Sequence, residues 1–337
     1  KKFMAQTPVE QAARLHNDAL VCDMTLPWRA PGRKELQGVL PERLEAGGVD
    51  FVSYTVATDD QDAMGAILAI AEERGRILAA PERFVLVETA DDVRRAKAAG
   101  KLAIGLHFQG TLPVGRNLGL VEIFYKLGIR HMLMAYNQKN LVADGCHELT
   151  DAGISRFGHE LVAEMNRVGM FVDVAHTGYR SSMEVIEASQ SPVICSHGNI
   201  KALWEHARCY RDDQIQAIAA SGGVFGLTGL GIFMGDNDAS VERYAEQIDY
   251  VAQLVGPRHV GFGFDYMYDM PTLSAHAAEM ASKWPSDGGY TRQDIKQLEP
   301  ESIPEITEQL LRRGYGEGDI RLVLGENWLR MMDEIWR

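Results

Sequence analysis

The chain has 337 residues, 46% of them hydrophobic, and a formal net charge of −13. That apolar content excludes a disordered chain and is enough to fill one large core. With Lys and Arg outnumbered, the charge argues against a nucleic-acid or anionic-membrane partner.

Short apolar, β-branched runs alternate with longer amphipathic segments, the pattern of βα repeats around a parallel sheet. The runs are Ala19–Thr25, Asp50–Val56, Ala103–Gln109, Arg130–Ala135, Met170–Ala175, Pro192–Ser196, Gly223–Thr228 and His259–Phe264. A helix is predicted over 60–80, then a short extra strand at Phe84–Val87 and a helix over 91–99. Phe157, Leu161, Val162 and Met165 recur at helical spacing in 156–168, which Gly169 stops, and 212–221 reads the same way. Residues 266–300 are polar, aromatic and punctuated by Gly and Pro, which predicts a long lid-like loop after the eighth strand. Helices over 304–313 and 319–336 end the chain. No linker or repeat interrupts the pattern, so the expectation is one (β/α)8 TIM-like barrel domain over 1–337.

Cys22, Cys146, Cys195 and Cys209 form no CxxC pair and read as free thiols in a reducing compartment. No run approaches the ~20 apolar residues a membrane span needs. A cytoplasmic protein is the expectation.

Catalytic groups of such barrels come from the C-terminal strand ends. Strand one ends in Asp23 and Thr25, strand three in His107 and Gln109. Tyr136, His176, His197 and Asp265 follow strands four, five, six and eight. A single histidine at a strand end is ordinarily a structural hydrogen-bonder. Two at successive strand ends, with an aspartate behind an apolar run, suit a metal or acid–base site. His16, His131, His147, His159, His206, His259 and His276 read as ordinary, and Asp173 as structural.

Several motifs carry a resemblance. They are Val172-Asp-Val-Ala-His176, Pro192-Val-Ile-Cys-Ser-His197, Ala207-Arg-Cys-Tyr-Arg-Asp-Asp213, His259-Val-Gly-Phe-Gly-Phe-Asp265 and Leu324-Gly-Glu-Asn-Trp-Leu-Arg330. Tyr136-Asn137, Asn140 and Asp144-Gly145-Cys146 join them. In this order they resemble the membrane dipeptidase (renal dipeptidase, peptidase M19) family over nearly the whole chain. The resemblance implies a metallo-dependent hydrolase barrel, a binuclear zinc site, dipeptide substrates and a homodimer. His176 and His197 match the later metal ligands, Arg208 the arginine that binds the substrate carboxylate, and Asp265 the catalytic aspartate.

The remaining ligand positions differ. The family's strand-one His-x-Asp falls on Asp23-Met24-Thr25, and its bridging Glu on Gln109, or on His107 if the strand shifts by two. The histidine thought to assist the transition state falls on Tyr136. His16-Asn17-Asp18 imitates the first motif one turn too early. Thr and Gln are weak zinc ligands, so one ion is expected, on His176 and His197 and completed by Gln109, His107, Asp23 or Asp265.

The resulting expectation is an amide hydrolase for a dipeptide or other small carboxylate-bearing molecule. Asp265 would move the proton, Arg208 would clamp the carboxylate and Tyr136 would donate to the oxyanion. Substrate preference would lie in 266–300 and in the strand-one loop from Trp28 to Arg33. Two readings of other classes stand beside it. One is a metal-free enzyme of altered chemistry, using Asp23 and Asp265 on a non-peptide metabolite. The other is a non-catalytic binding protein that keeps the arginine clamp.

Overall fold

The structure, a computed structural model, describes residues 7–27 and 40–337, so the loop from Trp28 to Arg33 lies outside the described residues. Eight parallel strands form the barrel. They are β1 Cys22–Leu26, β2 Phe51–Thr58, β3 Leu102–Gln109, β4 Ile129–Leu133, β5 Phe171–Asp173, β6 Val193–Ile200, β7 Phe225–Leu227 and β8 Val260–Phe262. Each pairs with the next, and Asp23 opposite Phe262 closes β1 onto β8. The sequence runs enclose β5, β7 and β8 whole, whereas β1, β2, β3, β4 and β6 each extend past a run by a few residues. The extra strand Phe84–Leu86 lies against the start of β3, and Cys209–Tyr210 pairs with the end of β6.

Helices fill the outer ring for local reasons. In Arg156–Val168 the Ser155 hydroxyl accepts the Gly158 N–H, and Leu161, Val162, Met165 and Val168 face inward. Gly169 ends that helix at φ 89°, where a Cβ would stand 2.6 Å from the Ile335 carbonyl oxygen. Asp62 caps Ala63–Leu78, and Thr89 with Asp92 makes a capping box for Ala90–Ala99. Among the described residues no helix is long and apolar enough to cross a membrane.

Two sequence expectations are revised. The segment after β8 is not one loop, because Met270–Glu279 is helical within it. Pro271 sits in the first turn of that helix, where a missing N–H costs nothing, and the other Gly and Pro positions follow it. The last helix is broken into Glu317–Arg321, a π-turn over Leu322–Glu326, and Asn327–Ile335. A Cβ on Gly325 would lie 2.4 Å from the Leu20 carbonyl oxygen, so the chain passes close under β1 at this turn. Just beyond, the Asn327 amide donates to the Val260 carbonyl at 2.8 Å, and the Trp328 indole donates to the Phe262 carbonyl at 3.1 Å. The wide turn brings both side chains under β8.

Candidate active site

Three residues past strand ends adopt a left-handed backbone: Asn137 at φ 59°, His176 at φ 60° and Asp265 at φ 57°. Such turns are uncommon for side chains larger than glycine and concentrate at working sites. All three side chains are buried at the barrel mouth.

His176 and His197 face each other, Nε2 to Nε2, at 3.0 Å. The tautomer of the first follows from its neighbours. The Lys283 carbonyl can only accept, so the Asn137 Nδ2 that lies 3.0 Å away must be the donor end of that amide. Asn137 Oδ1 therefore faces His176 Nδ1, at 2.7 Å, and that nitrogen carries the proton. His176 Nε2 is left with its lone pair. His197 Nδ1 rests between the hydroxyls of Ser196, at 2.8 Å, and Thr25, at 3.1 Å. Burial, aided by the Arg208 charge, pushes both imidazoles well below their ordinary pKa, so both are neutral. Neutral rings with Nδ1 held by oxygen partners are the ligand form of histidine. Either His197 donates its Nε2 proton to His176, or both nitrogens turn lone pairs to a shared cation.

Tyr136 lies flat on His176, with ring centres 4.0 Å apart, and meets Trp284 edge-on at 6.0 Å. Burial raises its phenol pKa, so its hydroxyl stays a donor.

Arg208 is almost fully buried. Its Nη2 donates to the His197 carbonyl at 3.1 Å, while Nε and Nη1 have no hydrogen-bond partner among the described residues. Asp212 and Asp213, the surface partners that its sequence position suggests, are instead engaged by Tyr250 and Tyr179. A buried guanidinium with two free N–H groups is costly unless an anion joins it. Around it stand Phe233, 5.5 Å from the guanidinium carbon to the ring centre, and His206, whose Nδ1 accepts the Arg208 backbone N–H at 3.0 Å. Tyr290 holds His147 Nε2 at 2.7 Å. These two histidines read as ordinary in sequence; nothing local shows that distant loops bring them to the arginine.

Asp23 and Asp265 are both buried and influence each other. Burial lifts Asp265 to about 7, Arg208 opposes that shift, and the Asp23 charge adds to it. Burial also lifts Asp23 to about 7, against the backbone N–H groups of Thr25 and Phe264, which meet its Oδ1 at 3.1 and 2.9 Å.

The other sequence candidates lie among strand side chains. His107 spans Ser53 Oγ at 2.8 Å and Thr55 Oγ1 at 2.7 Å, so both its nitrogens are taken up inside the barrel. Gln109 donates to the same Thr55 hydroxyl at 2.9 Å. His131 stacks on His107 at 4.1 Å, and its Nε2 lies 3.5 Å from Asp173 Oδ2. Burial lowers His131 to about 3, so this contact is no ion pair. Asp173 is structural, as its sequence position suggests, with Oδ1 accepting the Ala175 and Ser196 N–H groups. His16 bonds Thr307 and the Gly47 carbonyl, far from the mouth.

Among the described residues no third His, Cys, Asp or Glu joins the histidine pair. The two facing imidazoles are nitrogen donors of the kind a divalent metal takes. The site does not fit a pair bridged by a carboxylate, for which Gln109 has the wrong charge.

The sequence profile of the membrane dipeptidase family (peptidase family M19) matches residues 39–336. The chain belongs to that family. Dipeptidase verJ of Clonostachys rogersoniana is 29% identical over 256 residues, 75% of this chain and 61% of that protein. Dipeptidase 3 of Rattus norvegicus is 27% identical over 306 residues, 87% of this chain and 58% of that protein. The chain thus spans roughly three fifths of the length of these two curated relatives. An amidohydrolase structure from Pseudomonas aeruginosa is 33% identical, with a TM-score of 0.86, covering 96% of this chain and 99% of that one. A dipeptidase structure assigned to family M19, 20% identical with a TM-score of 0.76, covers 94% and 99% and shares the barrel fold.

Proposed function

We propose that this member of the M19 family hydrolyses the amide bond of a dipeptide or a similar small molecule ending in a carboxylate. The observation that carries the reading is Arg208, a buried guanidinium with two unpartnered N–H groups beside the histidine pair. A carboxylate would accept hydrogen bonds from these free N–H donors and set the substrate's register over the mouth. Asp265, lifted to about 7, is poised to take a proton from the attacking water at neutral pH. It then returns that proton to the leaving nitrogen as the C–N bond breaks and the new C–O bond stays. Tyr136, held protonated, is the donor available to the oxyanion.

His176 and His197 would hold one divalent ion, zinc by family likeness, which supplies Lewis-acid polarisation of carbonyl and water. The relatives named as dipeptidases support the substrate class. The test is a panel of dipeptides and N-acyl amino acids, each with its C-terminal amide, assayed with and without added zinc. Turnover of acids but not amides is expected; equal turnover of both removes the clamp. Turnover that ignores zinc and chelator favours a second reading, acid–base chemistry by Asp23 and Asp265 without an ion. On its side is the observation that no third His, Cys, Asp or Glu joins the two imidazoles among the described residues.

A further inference from the structure

Asn137 uses both ends of its amide, and the two ends serve different parts of the molecule. Nδ2 donates to the carbonyl of Lys283, while Oδ1 takes the His176 Nδ1 proton and, at 3.4 Å, the Cys146 thiol. Gly145 closes the space behind it, since a Cβ there would stand 2.0 Å from the Asn137 carbonyl carbon. Lys283 belongs to the segment after β8, and its surroundings tie that segment across the mouth. Gln138 Nε2 donates to the Ser282 carbonyl at 3.0 Å, and the buried Lys283 ammonium meets Asp60 at 2.6 Å. Trp284 lies against Tyr136, the ring that covers His176.

An amide has one donor end and one acceptor end. While the Lys283 carbonyl holds Nδ2, only Oδ1 can face His176, which keeps the proton on Nδ1 and the Nε2 lone pair toward the mouth. With the segment withdrawn, only the weak Cys146 thiol contact is left to favour one end of Asn137 over the other at the ring. We propose that Asn137 is a positioning residue that couples seating of residues 280–288 to the ligand tautomer of His176. The site is then assembled only under a closed cover. By reciprocity, whatever engages His176 Nε2 holds the cover down. The proposal rests on His176 working at the site, as in the function proposed above.

The test uses the full chain with three readouts: amide hydrogen exchange across 280–288, zinc affinity, and the His176 tautomer by ¹⁵N imidazole NMR. Asp60→Asn frees Lys283 from its far side without touching Asn137, and Asn137→Ala removes the link itself. Asn137→Ala should speed exchange at 280–288 and weaken zinc binding by about tenfold, the usual effect of losing such a partner. Asp60→Asn should speed exchange, weaken zinc binding and scramble the tautomer when Asn137 is present. In the Asn137→Ala background it should speed exchange and leave zinc affinity alone. Equal zinc loss from Asp60→Asn in both backgrounds overturns the proposal, as does unchanged exchange in Asn137→Ala. A wild-type chain that binds no zinc sinks the metal part of the proposed function only. The tautomer then decides the coupling, and a tautomer indifferent to Asp60→Asn overturns it.

Discussion

His176 and His197 are register partners as well as neighbours. β5 pairs with β6 so that Val172 meets Val193 and Asp173 meets Ile194. Both pairs are offset by 21 residues, and the same offset carried past the strand ends joins His176 to His197. The two Nε2 atoms meet because the barrel's hydrogen-bond register places them side by side and the φ 60° turn at His176 folds its ring over the mouth.

Removing either ring should therefore remove the ion. About one zinc per chain is expected in protein purified without chelator, and close to none in His176→Ala or His197→Ala. Metal content by mass spectrometry checks this. Two tightly held ions in the wild type would contradict the donor set described above.

Arg208→Lys keeps a positive charge but loses the planar fork. KM for carboxylate substrates should rise by roughly tenfold to a hundredfold, with a smaller change in kcat, because the clamp acts in ground and transition states alike. Steady-state kinetics on matched acid and amide substrates separates this from a folding defect. An unchanged KM would return Arg208 to a structural role.

Asp265 sets the direction of the pH dependence. Its carboxyl, lifted to about 7 by burial, must be ionised to act as a base, so kcat/KM should climb with pH and level off above about 7. Stability runs the other way. A carboxyl with a raised folded pKa favours the folded chain at low pH, and that contribution fades as pH rises from the unfolded value of about 4 through 7. Melting temperature should fall between pH 5 and 8, and fall less in Asp265→Asn. Asp23, lifted to about 7 as well, contributes with the same sign. A melting temperature that rises over this window would contradict the buried carboxylate pair.

Asp59 ties three loops beneath the covering segment. Its Oδ1 accepts the N–H groups of Thr111 and Leu112 at 2.7 and 3.0 Å, and its Oδ2 accepts those of Tyr136 and Asn140 at 3.2 and 3.0 Å. Asp59→Ala strands the three backbone donors, while the Asn140 amide keeps Thr111 and the Met134 carbonyl, and should cost about 3 kcal/mol, read by urea denaturation. The Tyr136 stack on His176 should loosen with it. A loss below about 1 kcal/mol would mean water replaces the carboxylate.

Much of the barrel can be read directly from the chain, because a buried parallel strand announces itself as a short apolar run and an outer helix by its period. Helix 156–168 is legible to the residue, since Ser155 and Gly169 mark its ends. The helix at 270–279 is not, because Pro271 in its first turn and the Gly and Pro residues after it read as loop punctuation. At the site, His176, His197, Arg208 and Asp265 stand out from motif and strand-end position. The sequence marks Asn137 as part of a motif but is silent about its link to Lys283, because that contact joins segments far apart in the chain.

The sequence by itself determined the barrel and the family, since both are written in residue identity and local period. Only the tertiary structure decided which candidates meet. His107 and Gln109 turn to Thr55 instead of the histidine pair, and Arg208 is buried with two N–H groups unspent. Strand register, the left-handed turns past the strand ends and the docking of 266–300 set those distances. None of the three is a property of any short stretch of chain.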